Sequence, residues 1–162
     1  MTDTNNNDIQ KISENKEVDT LLESLLFLSN YHKRAASKES LITGLAIHNN
    51  LMTPPMFRRS AKRIGLISKA VKKDIEAVNN LALPAVALFD TNTACIVLNV
   101  DKEKKEVRAI FPDISVGEII VPIDEFNEHY KGHLLIVKPA YNFERKVDDI
   151  KIEDNERRFW ST

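Results

Sequence analysis

The stretch from Asp19 to Lys33, DTLLESLLFLSNYHK, constrains this chain more than any other. Leu21, Leu22, Leu25, Leu26, Phe27, Leu28 and Tyr31 recur at three- and four-residue intervals, the period of an α-helix, yet cover more than one stripe of its surface. A helix apolar on most sides has to be surrounded, so the remaining elements must pack around this one. Thr20, with Glu23 three residues on, fits a capping box and predicts that the helix is capped at that threonine.

Two further helices follow from local signals. Ser37 predicts a cap for a helix over Lys38–Ala46, and Thr53 before Pro54 predicts one over Pro54–Ile64, with proline in the first turn where a missing N–H costs little. The period then changes. Leu66–Val71 reads as a strand and Asp74–Asn79 as one helical turn, after which Pro84–Phe89, Ala94–Val100, Val107–Phe111, Ile119–Val121 and Leu134–Val137 are rich in β-branched residues. Thr91-Asn92-Thr93 and Asp101–Lys105 are connectors of hairpin length, so the middle strands should form an antiparallel meander. A short helix over Pro122–Tyr130 precedes the last strand. Helices, then a meander, then one helix and one strand define an α+β chain.

Composition decides how much of the chain this core can hold. With 162 residues, 43% of them hydrophobic, one compact domain is expected, with tails. Residues 1–17 are polar, Asn-rich and aperiodic, a disordered lead-in by pattern; 18–140 carry the periodic segments; 141–162 are dominated by charge and close on Arg157-Arg158-Phe159-Trp160. No signal-peptide core precedes the first helix, and no window reaches the roughly 18 uninterrupted apolar residues of a membrane span, so the sequence reads as soluble. Gly44, Gly65, Gly117 and Gly132 stand too far apart for a phosphate loop or a dinucleotide fingerprint. Twenty-three basic residues against 24 acidic leave a net charge of -1, which selects neither nucleic acid nor an anionic membrane as partner. One cysteine, Cys95, excludes an internal disulfide framework and fits a reducing compartment.

Two segments together resemble a known family: DTLLESLLFLSNYHKRAAS at 19–37, and LPAVALFDTNTACIVLNV at 83–100 followed by AIFPD at 109–113. TPPMFRRSAKRIGL and YKGHLLIVKP stand in the same order, so the similarity runs over 19–139. These stretches resemble the papain-like leader-peptidase domain that opens bacteriocin ABC exporters. They are more similar still to its degenerate relative in the exporters of haemolysin-type toxins and giant RTX adhesins. The resemblance implies a papain-like cysteine-peptidase fold, with N-terminal helices packed on a mainly antiparallel sheet. It also implies a segment 141–162 that leads toward a membrane domain and an ATPase of the same exporter.

In active members of that family a cysteine at the start of the core helix is the nucleophile, and a glutamine six residues earlier supplies the oxyanion donor; here those positions hold Thr20 and Glu14. The family's histidine, in a segment like GHFVVL, falls on Ala94 within Thr93-Ala94-Cys95-Ile96-Val97-Leu98. The orienting aspartate falls on Pro112, with Asp113 one place along. A thiol works as a nucleophile because a neighbouring imidazole stabilises its thiolate, and threonine beside alanine has no such route. The resemblance therefore implies a domain with no catalytic residues.

Other candidates are weaker. Cys95 neighbours the position of the missing histidine, but successive strand residues face opposite sides, so its thiol should point into the core. His129 and His133 are separated by Lys131-Gly132 and lack a ligand cluster, so no metal or other cofactor is expected. Arg58, Arg59, Lys62, Arg63, Lys69, Lys72 and Lys73 raise nucleic acid, yet the helical members sit opposite Phe57, Ala61 and Ile64, as a solvated face does, and no aromatic platform interleaves with them. Tyr31, Leu88 and Phe89 occupy places where the resemblance puts aromatic residues closing the old cleft, and are the candidate substrate-binding residues.

The expected function is docking of unfolded RTX protein or adhesin cargo at the cytoplasmic face of the bacterial inner membrane, by a non-catalytic domain of a type I secretion ABC exporter that is dimeric when complete. An active cysteine peptidase using Cys95 and a stand-alone soluble adaptor are the alternatives.

Overall fold

The computed structural model describes residues 17–45, 51–114 and 117–140; lead-in residues 1–16, Glu14 among them, Ala46 and the 141–162 segment lie outside the described residues. Three helices come first: α1 over Thr20–Tyr31, α2 over Lys38–Ile42 and α3 over Pro54–Arg63. The strands are β1 (Leu66–Lys72), β2 (Ala85–Phe89), β3 (Ala94–Asp101), β4 (Glu106–Ile110), β5 (Glu118–Pro122) and β6 (Tyr130–Pro139), with a one-turn helix α4 (Ile123–Phe126) before the last. They form one antiparallel sheet in the order β1-β6-β2-β3-β4-β5. The chain is α+β, as its periodicity predicts, and β2 to β5 are the predicted meander.

Strand β6 enters the sheet between β1 and β2. Its run Leu134–Val137 is buried throughout, the pattern of a strand covered on both faces, and that run belongs in mid-sheet. Pairing with a neighbour on each side also extends β6 beyond the predicted Leu134–Val137, through Lys131 and Gly132, and leaves the predicted helix over Pro122–Tyr130 only the turn Ile123–Phe126. The helical turn expected over Asp74–Asn79 is the 3-10 turn Ile75–Ala77, and a second 3-10 turn, Asn80–Ala82, follows it.

The caps also differ from expectation. Asp19, not Thr20, caps α1: its carboxylate accepts from Leu22 N at 3.1 Å, while Glu23 is turned outward to pair with Lys38 of α2. The same Asp19 carboxylate accepts from Met52 N at 2.7 Å, tying the segment before α3 to the start of α1. Ser37 and Ser40 form the capping box of α2, which ends at Ile42. Thr53 precedes α3 in extended conformation without a side-chain cap bond, and Pro54 and Pro55 fill the first two helical positions, where their missing N–H groups cost little.

The sheet separates two cores. On the helix side Leu25 and Leu28 of α1, Leu41 of α2 and Phe57 and Ala61 of α3 pack with Leu66, Val86, Leu135 and Val137. On the other side Cys95, Val97, Val107 and Leu134 pack with the 3-10 residues Ile75 and Val78 and with Ile123 and Phe126 of α4. Phe57 is completely buried and joins α3 to the sheet. Replacing Phe57 by Ala should therefore lower the unfolding free energy by about 3 to 5 kcal/mol, read from a shifted urea midpoint with unchanged slope. At the other end of α1, burial and the nearby Arg34 hold the His32 imidazole below the ordinary histidine range. The unfolded chain then binds the proton more readily, so stability should fall as pH drops below about 6.5, and His32→Gln should flatten that part of the pH profile of urea stability.

Candidate functional site

The amino end of α1 meets β3 through one buried bond: the Thr20 hydroxyl accepts from Ala94 N at 2.8 Å. Strand register explains why that N–H is available. Phe89 N donates to Thr93 O, so the alternation of an antiparallel ladder turns the Ala94 N–H away from β2 and toward β4. But β4 ends at Ile110, opposite Ile96, and the next position on that register, opposite Ala94, is that of Pro112. A buried amide without a ladder partner must find another acceptor, and Thr20 provides it. Thr20 is 4% exposed and Ala94 1%, so solvent does not compete for the bond.

Thr20 and Ala94 therefore meet at this contact, and the side chains they bring are a hydroxyl and a methyl. Asp113 is exposed. Cys95, one residue from Ala94, points to the opposite face of the sheet and is fully buried in the core there. Burial, reinforced by the charge of Asp113, pushes its thiol well above the usual range, the reverse of what a thiolate nucleophile needs. Among the described residues, His129 is exposed and held by Asp90 at 3.0 Å, His133 is exposed on β6, and His32 lies at the far end of α1. None of the three is bonded to Thr20.

The candidate substrate-binding residues do not form one patch. Tyr31 is 56% exposed at the end of α1, where it stacks on Phe27. Leu88 packs into the helix-side core, whereas Phe89, the next residue of β2, packs on the other side of the sheet against Phe111 and Phe126. The alternation that predicts the orientation of Cys95 also separates Leu88 from Phe89.

Among the described residues, no strand pairs with the outer side of β5. Ile123 N donates to Lys105 O, which sets the alternation along β4 and β5: Ile119 and Val121 direct their backbone groups to β4, and Glu118 and Ile120 direct theirs outward from the edge strand. Ile120 is 63% exposed. Sequence reasoning missed this edge, because strand order is not written in any local pattern.

A family model for the peptidase C39 family matches residues 8–142. The chain belongs to the peptidase C39 family. Among curated proteins it is 25% identical over 122 residues to the leukotoxin export ATP-binding protein LtxB of Aggregatibacter actinomycetemcomitans, covering 75% of this chain and 17% of that protein. It is 29% identical over 122 residues to the toxin RTX-I translocation ATP-binding protein of Actinobacillus pleuropneumoniae, with the same coverage. The chain thus spans about a sixth of the length of these relatives. Among solved structures, the N-terminal peptidase C39-like domain of the toxin secretion ATP-binding protein from Vibrio parahaemolyticus superposes with a TM-score of 0.72 at 29% identity, over 76% of this chain and 98% of that domain. A double-glycine motif protease from an AMS/PCAT transporter, solved with its leader peptide, shares the fold at a TM-score of 0.64 and 20% identity, over 76% of this chain and 86% of that one. The C39 fold is thus common to this chain, to domains of toxin exporters and to leader proteases.

Replacing Thr20 by Val keeps the shape and removes the acceptor. The buried Ala94 N–H should then be left without a partner, with a loss of about 1 to 3 kcal/mol in urea unfolding and loss of hydrogen-exchange protection at the Ala94 amide.

Proposed function

We propose that this C39 domain is non-catalytic and forms the N-terminal, cytoplasmic part of a type I secretion ABC exporter, where it holds unfolded RTX protein or adhesin cargo for transport. The observation that carries this reading is the Thr20–Ala94 bond. Where active members place a thiol beside an imidazole, this chain places a hydroxyl occupied by a backbone amide, with no base bonded to it among the described residues. The similarity to ATP-binding proteins of leukotoxin export and RTX-I translocation supports the exporter context, and through it the membrane and ATPase domains as partners on one chain. Docking on the same chain as the translocator raises the local cargo concentration, so weak contacts suffice.

The open edge of β5 supports holding by strand addition: outward N–H and C=O groups of Glu118 and Ile120 can pair with an extended peptide of any sequence, and folded cargo offers no free strand to pair. A cysteine peptidase acting through Cys95 is disfavoured by the complete burial of its thiol.

The test uses a calcium-free, unfolded RTX segment. Fluorescence anisotropy should show it bound by the chain and released when calcium folds it, while a double-glycine leader peptide stays uncut over hours and iodoacetamide labels Cys95 no faster than a buried thiol. Equal binding of folded and unfolded segments would overturn the docking reading. Leader cleavage abolished by Cys95→Ala would overturn the non-catalytic one.

A further inference from the structure

On the face of the sheet away from α1, α2 and α3, the start of β5 borders a groove of about 490 Å³. Its floor is aromatic and aliphatic. Phe89 stacks on Phe111 with ring centroids 5.9 Å apart and meets Phe126 edge-on at 5.3 Å, and Ile119 closes the side nearest β5. Ile114, 74% exposed, stands at its mouth. The rim is mainly anionic: Asp113, Glu125 and Glu128 line it, and among the described residues no lysine or arginine does; next to it Asp90 holds His129, and Lys131 Nζ donates to Glu128 O at 2.9 Å and lies 4.0 Å from Asp90.

An apolar floor within an anionic rim selects an occupant that combines an apolar side chain with a neighbouring cation. We infer that this groove recognises, in unfolded cargo, an aromatic or aliphatic anchor residue flanked by Lys or Arg. The inference rests on the docking function proposed above and gives it a sequence preference that main-chain pairing alone does not supply. The geometry of strand addition makes the two compatible. Ile119 and Val121 of β5 face the groove side of the sheet, so a peptide paired to the β5 edge would direct every second side chain the same way, over the rim and floor. The anchor enters between Phe111 and Ile119, and the flanking cations meet Asp113, Glu125 and Glu128. These rim carboxylates are on exposed residues, so each pair contributes modestly and the preference weakens with salt.

The probes are three fluorescent dodecapeptides without secondary structure: a Phe anchor between two Arg pairs, the same anchor between two Glu pairs, and the Arg peptide with Ser in place of Phe. The Arg–Phe peptide should bind the chain about tenfold more tightly than either other peptide, and the margin over the Glu peptide should shrink at high salt. Glu125→Lys with Glu128→Lys, both at exposed positions, should reverse the charge preference; Ile114→Asp, also exposed, should erase the advantage of Phe over Ser. Far-ultraviolet circular dichroism and urea midpoints verify that the variants fold. Equal affinity for the Arg–Phe and Glu–Phe peptides, or binding unaltered in both variants, overturns the groove inference. If the calcium-free RTX segment still binds in that case, the docking function survives. If instead the Arg–Phe peptide binds as expected and the RTX segment does not, the groove's chemistry stands and the cargo assignment fails.

Discussion

The seam between helix layer and sheet is closed where β4 stops short. The meander needs β3 to begin at Ala94, but β4 ends at Ile110, opposite Ile96, so no β4 carbonyl accepts the first amide of β3. A buried N–H without a partner costs on the order of 1 to 3 kcal/mol, a large part of the margin of any small domain. The Thr20 hydroxyl removes that cost and at the same time fixes the amino end of α1 on β3.

Asp19 extends this seam to the rest of the helical layer. One of its oxygens holds Leu22 N and the other holds Met52 N, so the start of α1 and the segment leading into α3 are positioned by a single carboxylate. The layer thus assembled reaches β1, β6, β2 and the first residue of β3, through Leu66, Leu135, Val86 and Ala94. It does not extend over β5. Among the described residues, the other core is covered by two 3-10 turns and the one turn of α4, and this uneven coverage leaves the β5 edge unpaired with a groove beside it.

How much of this was legible in the sequence depended on the range of the interaction. Strand segments and the meander were legible, because β-branched runs and short polar connectors are local signals. The end of α1 was misread: Asp19 and Thr20 are both cap-forming residue types, and choosing between them required knowing that Ala94, far away in sequence, would claim the threonine hydroxyl. The length and place of β6 depended on neighbours on both sides. The opposite orientations of Leu88 and Phe89 were legible from strand alternation, the rule already applied to Cys95, and grouping them by resemblance overlooked it. The groove drew residues from β2, the end of β4, β5 and α4, so no single window of sequence contained it.

Net charge is the least informative quantity because it sums 23 basic and 24 acidic residues without regard to where they lie. Arg58, Arg59 and Lys62 are exposed on α3, which packs on β1 at one edge of the sheet, while Asp113, Glu125 and Glu128 rim the groove next to β5, the opposite edge. Five strand spacings separate the two edges, roughly 24 Å, which exceeds the screening length of about 8 to 10 Å at physiological ionic strength. Each patch therefore acts on its surroundings nearly independently of the other. The carboxylates of the groove are therefore little compensated by α3, so a net charge of -1 for the whole chain leaves local fields of either sign at its two edges.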